Sequence, residues 1–226
     1  MRIIPLSALA FLLASPPALA QSDRGAYLFL NLGYTSSTTR NAPSAGTEVL
    51  TGAGFTNVGE RDTSTGRALG LGTGYRFNRF VAMEGAYYDL GDVHRYTGTF
   101  TMQVGVAQES AGVVKTWRAK AGELALLGSL PITQTVSLVG KVSAVHMRGK
   151  FDSDLDCTDG CTRRVVSSSG AATSAGFGAG VAIRPEQHLS FALMAESWQV
   201  KAGTFGAEGE DLGKLRLFSL RLNYHF

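Results

Sequence analysis

Few residues in this chain are equipped to do chemistry. Glu84, Glu123, Lys141, Glu196 and Arg221 each lie where large apolar residues alternate with small or polar ones, and each falls on the small, polar side. Successive side chains of an extended chain point to opposite faces, so this parity sends all five to the same face. If that face is enclosed, unpaired charges on it are costly, and an ion-pair cluster is expected. Counted from the nearest chain reversal, Glu84, Lys141 and Arg221 belong near mid-height. Glu123 and Glu196 come slightly higher, and Arg76 and Arg184 lie near the base. Nucleophilic catalysis needs a histidine beside a serine or cysteine, oriented by a third group. No motif pairs His94, His146, His188 or His225 with a serine, so the chain reads as non-enzymatic. Cys157 and Cys161 flank Thr158-Asp159-Gly160, and Asp-Gly supplies a turn that brings two thiols together. Two thiols with no nearby histidine are too few ligands for a metal site. No metal and no cofactor are expected.

The elements that position these residues follow from the rest of the chain. Residues 1–20 have a basic Arg2, an apolar run from Ile3 to Ala14 and Ala18-Leu19-Ala20 ahead of Gln21. This is the layout of a cleaved secretory signal peptide, leaving 21–226 as one domain. Export implies an oxidising compartment, so Cys157 and Cys161 are expected to form a small disulfide ring. Net charge is only +3, which argues against nucleic acid as a partner, since phosphate recognition needs a concentrated basic face. Charged residues are 17% of the chain and glycines number 28. No apolar run beyond residue 20 reaches the ~20 residues of a membrane-spanning helix, which leaves spans built from strands open.

Period-two alternation is clearest at Arg67–Phe77, Phe177–Arg184 and Phe218–Phe226. Leu69, Leu71, Tyr75 and Phe77 oppose Gly66, Ala68, Gly70, Gly72 and Gly74, so the second face is too small for the core of a sandwich and suits a narrow lumen. Eight such segments are predicted, at about 26–35, 65–77, 80–90, 118–130, 135–148, 172–184, 188–201 and 212–226. Tight connections at 78–79, 131–134 and 185–187 alternate with long ones at 36–64, 91–117, 149–171 and 202–211. The long ones are polar and read as solvated loops, although 49–58 and 99–114 keep some alternation, so strands could extend there or ten strands could form. The predicted fold is all-β, an eight-stranded antiparallel transmembrane up-and-down β-barrel. Tyr27, Tyr75, Phe77, Phe80, Tyr224 and Phe226 are expected to form an aromatic girdle at the short-turn end, with Tyr34, Tyr87, Tyr88, Trp117 and Trp198 towards the other.

The stretch Gly72-Thr73-Gly74-Tyr75-Arg76-Phe77, followed by a tight turn and Glu84-Gly85-Ala86-Tyr87-Tyr88, resembles the second hairpin of the OmpA-like transmembrane-domain family. The ending Leu222-Asn223-Tyr224-His225-Phe226 is similar to the C-terminal aromatic signal read by the outer-membrane assembly machinery. The resemblance implies a Gram-negative outer-membrane location with both termini periplasmic. It also implies contact with outer-membrane lipids and lipopolysaccharide, and recognition of Phe226 by the barrel assembly machinery. Because the chain stops at the last predicted strand, the family's peptidoglycan-binding domain is expected to be absent. The size lies closer to small barrel-only adhesin-like relatives.

The expected function is therefore structural, or surface interaction through the long loops, with the lumen closed by Glu84, Glu123, Lys141, Glu196 and Arg221. The third loop, carrying Cys157–Cys161 and Arg163-Arg164, is the first candidate for recognising an extracellular ligand. A narrow gated channel is the main alternative, and a lipid A-modifying enzyme a further one. A soluble lipocalin-type barrel fits worse, since it would leave an apolar stripe in water.

Overall fold

A computed structural model describes residues 24–38, 56–104, 107–157, 162–201, 203–206 and 213–226. They form β1 (Gly25–Thr38), β2 (Thr56–Thr63), β3 (Thr65–Arg76), β4 (Val81–Val104), β5 (Ala107–Pro131), β6 (Val136–Cys157), β7 (Thr162–Ile183), β8 (Leu189–Gln199) and β9 (Lys214–His225). Pairing runs antiparallel from β1 through β3, β4, β5, β6, β7, β8 and β9 back to β1. Closure rests on β1, where Asn31 faces Gly70 of β3 on one side and Arg221 of β9 on the other. The result is the closed eight-stranded barrel that the alternation predicts. β2 is not a ninth stave. It prolongs the line of β3 past Ser64 and pairs with β4 from Arg95 upward. Closure removes the open edges that would leave backbone groups unpaired in lipid.

The short turns owe their shape to side chains that take over backbone donors. At 77–80, the Asn78 carboxamide oxygen accepts from the backbone N–H of Phe80 (2.8 Å) and of Val81 (2.9 Å). At the β5–β6 turn, Thr133 Oγ1 accepts from the N–H of Thr135 (3.2 Å) and Val136 (3.0 Å). Both are local side-chain-to-backbone bonds of the kind that favour reversal over continued strand.

Three of the stretches read as long connections carry strand, and at 56–58 and over most of 99–114 this is the extension that the residual alternation allows. β2 lies within 36–64, β4 and β5 continue through most of 91–117, and β6 and β7 through most of 149–171. β4 has 24 residues and β5 has 25, whereas about 9–11 tilted residues cross the hydrocarbon. More than half of each therefore projects beyond it as a paired ribbon. Where β4 leaves the barrel wall, its register against β5 shifts between Asp89 and His94, and Gly91 takes a left-handed φ of 58°. The signal-peptide residues 1–20 and Cys161 lie outside the described residues, as do the side chains of Cys157, Arg163 and Arg164, so the disulfide reading does too.

Burial inverts the pattern of a soluble protein. Leu32, Leu71, Leu124, Leu126, Phe177 and Leu193 stand exposed on the outer wall, while Glu84, Glu123, Lys141, Glu196 and Arg221 are buried inside. At the turn end, the exposed rings of Tyr75 and Phe77 approach to 5.3 Å, as do those of Tyr224 and Phe226, and Phe80 is exposed beside Arg79. Tyr27 departs from the girdle assignment: it points inward and is 3% exposed, because it shares the parity of Asn31. Tyr34, stacked on Phe218 at 5.3 Å, and Tyr87 face outward at the other end. Tyr88, Trp117 and Trp198, placed in that belt by residue type, are buried in the lumen instead.

Candidate functional site: the closed lumen and its two ends

The five predicted charges form two groups. Arg221 Nη1 donates to both Glu84 carboxylate oxygens at 2.7 Å. Lys141 Nζ donates to Glu123 at 2.6 Å and to Glu196 at 2.7 Å. Sequence reasoning missed the neutral residues that join them. Arg221 Nε donates to the Asn31 carboxamide oxygen (3.1 Å), the Asn31 amide donates to Tyr88 Oη (3.0 Å), and Tyr88 Oη donates to Glu123 (3.1 Å). Tyr27 Oη closes the lower end by donating to Glu84 at 2.6 Å. Inward parity is the signal that would have found Tyr27 and Tyr88, and their aromatic type masked it.

The network crosses the barrel over glycines. Tyr27 reaches Glu84 across Gly74, Asn31 reaches Tyr88 across Gly70, and Lys141 reaches Glu196 across Gly178, each glycine being the register partner of both residues it separates. A methyl group at Gly70 or Gly74 would overlap the Tyr88 or Tyr27 ring, and one at Gly178 would press on Glu196 Cγ at 3.0 Å. The intervening stave must lack a side chain for its neighbours to meet.

Above the charges the lumen turns apolar. Tyr88 and Trp198 meet edge-on at 5.3 Å, Trp117 packs on Phe151 at 5.0 Å and on His94 at 4.7 Å, and Val93, Leu215 and Leu217 fill the gaps. The β8–β9 connection adds to this stopper. Phe205, expected in a solvated loop, is 2% exposed and packs over Gly149. Its segment is pinned by the Gly149 N–H to the Thr204 carbonyl (3.1 Å) and by Ser168 Oγ to the Phe205 carbonyl (2.7 Å). Below the charges lies an open vestibule of about 510 Å³, with Arg76, Ala192 and Arg184 on its walls and Glu84 and Arg221 at its head.

The structure does bring one serine and one histidine together. Ser190 Oγ lies 2.8 Å from His225 Nε2, and the Asn223 amide donates to Ser190 Oγ at 3.0 Å. This pair sits at the turn end, and among the described residues no carboxylate pairs with His225. His146 is held by Thr173 Oγ1 at 3.0 Å. No group of three His, Cys, Asp or Glu that could hold a metal ion occurs among the described residues.

An apolar outer wall, a polar bonded interior, tight turns at one end and long ribbons at the other define a small transmembrane β-barrel of the outer-membrane type. Residues 6–226 match the outer membrane protein beta-barrel domain family, and the chain belongs to it. The protein is OmpA-like and resides in the Gram-negative outer membrane. Among solved structures, it resembles Neisserial surface protein A at 10% identity and a TM-score of 0.52, covering 89% of this chain and 97% of that one. Ail, the attachment invasion locus protein of Yersinia pestis, is 16% identical with a TM-score of 0.43, covering 89% and 99%. The outer membrane protein OprG of Pseudomonas aeruginosa is 10% identical with a TM-score of 0.42, covering 92% and 100%. No curated protein sequence matches the chain.

Proposed function

We propose that this protein is a non-conducting, non-enzymatic display barrel. Its β4–β5 and β6–β7 ribbons face the exterior and contact extracellular ligands in an adhesin-like role, while both chain ends face the periplasm. The observation that carries the reading is closure of the lumen at two successive levels: the ion network of Glu84, Arg221, Glu123, Lys141 and Glu196, and the aromatic stopper of Trp117, Trp198 and Phe205. An eight-stranded barrel has an interior just wide enough for side chains to fill, and here they fill it above the vestibule. The investment in paired strand beyond the membrane supports a task for the ribbons. Purified protein in planar bilayers is expected to show no discrete conductance, and stepwise currents would overturn the closed-lumen reading. Cells displaying the protein are expected to lose ligand adhesion when 97–113 is replaced by a short turn, with insertion unchanged.

The vestibule supports one second reading, a channel gated by movement of the stopper and the charges. It predicts conductance that appears with voltage or pH in the same recordings.

A further inference from the structure

The turn end of the lumen gathers arginines. Arg76 ends β3 on the parity of Gly70, Gly72 and Gly74, and Arg184 follows β7 on the parity of Gly178, Gly180 and Ala182. Both therefore point inward and line the vestibule. β3 and β7 stand four staves apart in the ring of eight, so the two guanidinium groups come from opposite walls. Both lie within electrostatic reach of His225, and Arg76 also within reach of Tyr27. Arg79, whose guanidinium lies 4.7 Å from the Phe80 ring centroid, borders the same cavity. Against these arginines and Arg221 the lining offers one carboxylate, Glu84, which is already bonded to Arg221 and Tyr27. Among the described residues no carboxylate pairs with Arg76. Like charges gathered in an enclosed space repel one another, so this cluster does not serve the stability of the barrel itself.

The cavity around the cluster has the size and lining of a receptor site. Its volume of about 510 Å³ falls within the ~300–1,000 Å³ of small-molecule pockets. Ser129, Thr135 and Ser137 add hydroxyls to its wall, and Leu127, Val139 and Met194 add apolar surface. A second cavity of about 580 Å³ shares Arg76 and Arg184 and adds Arg24, so the positive lining continues outward through the mouth. A low-dielectric cleft lined by one sign of charge focuses the field and raises the local concentration of counter-ions. We propose that the vestibule binds a small organic molecule carrying two or more oxyanion groups, phosphate or carboxylate, with Arg76 holding one and Arg184 another. The guanidinium fork matches the paired oxygens of either group. Once one arginine holds the ligand, its second oxyanion meets the opposite arginine at high effective concentration, an advantage that a monoanion lacks.

A periplasmic source for the ligand rests on the proposed orientation of the barrel, which protease cleavage of the β4–β5 ribbon on intact cells reads separately. Binding itself depends on neither orientation nor conductance. The full chain in micelles of a neutral detergent is titrated calorimetrically with pyrophosphate, citrate, acetate and a penta-aspartate peptide. Pyrophosphate or citrate is expected to bind at least about tenfold more tightly than acetate, and less so as salt rises. The tighter of the two assigns the ligand to the phosphates or to the polycarboxylates. The double variant Arg76→Gln/Arg184→Gln is expected to lose at least about tenfold in that affinity. Lys214→Gln/Arg216→Gln removes as much charge from the exposed ribbon end of β9 and is expected to lose less than about twofold. Equal losses in the two variants, or acetate binding as tightly as the multivalent anions, would overturn the proposal. Penta-aspartate binding more tightly than both small anions would overturn the small-molecule assignment. If the double variant does not fold, Ala192→Cys on the vestibule wall decides the matter with both arginines in place. The tighter anion at saturation is expected to shield this thiol from methyl methanethiosulfonate, with the unmodified chain as blank, and an unchanged rate would overturn the proposal.

Discussion

Lys141 is the one cation shared by two carboxylates, at 2.6 and 2.7 Å and with all three side chains about 1% exposed. Its removal leaves Glu123 and Glu196 facing each other without a counter-charge, whereas removal of Glu196 leaves Lys141 still paired. Lys141→Met is therefore expected to destabilise the barrel by about 3–5 kcal/mol and Glu196→Gln by clearly less. Urea unfolding in phosphatidylcholine vesicles would check the order, and equal losses would contradict the shared-cation geometry. Arg221→Ala is expected to cost a similar ~3–5 kcal/mol by stranding Glu84, with membrane insertion intact. At this scale parity made the five charges legible, since a charge on the small-residue side of an alternating strand has nowhere to go but inward. It equally marked Tyr27, Asn31 and Tyr88. Residue type alone places the two tyrosines at the membrane interface, yet a phenol that finds a carboxylate partner is well served inside.

At the scale of the strand, the glycines decide which side chains meet. β3 contributes Gly70, Gly72 and Gly74 beneath Tyr88, Phe29 and Tyr27, and β7 contributes Gly178 between Lys141 and Glu196. Gly178→Val is expected to push Glu196 away from Lys141 and lower stability by about 1–3 kcal/mol, as overfilling a packed interior does. Gly140→Ala, at a position where a methyl meets nothing within 4 Å, is expected to change the unfolding midpoint little. Similar losses in both would mean that glycine matters here for strand curvature and not for the crossings. The glycine face could be read from alternation, but the crossings could not, because they depend on register across three strands. Strand ends were only partly legible, for a different reason. Alternation exists where one face meets lipid, and above that level both faces of the ribbons meet water or each other. The periodic contrast then weakens, to the partial alternation of 99–114, while the backbone pairing continues.

At the scale of the whole molecule, the proposed display barrel has two closures in series, and on that reading water would have to pass both to cross. The vestibule ends below Glu84 and Arg221, and the stopper begins above Tyr88, so opening one level leaves the other intact. Phe205→Ala alone is thus expected to produce no conductance, although it removes the ring that seals the β8–β9 side. A thiol placed on the vestibule wall tests this arrangement directly. Ala192→Cys, with the unmodified chain as blank for Cys157 and Cys161, is expected to react with a charged methanethiosulfonate added at the turn end of reconstituted vesicles. It is expected to stay unmodified when the reagent is added at the ribbon end, in the unmodified background and in Phe205→Ala alike. Labelling from the ribbon end only with Phe205→Ala would show that the aromatic stopper is the sole barrier and that the charges leave a water path around them. Labelling from both ends in the unmodified background would show that neither level closes the lumen, and the channel reading would replace the display barrel.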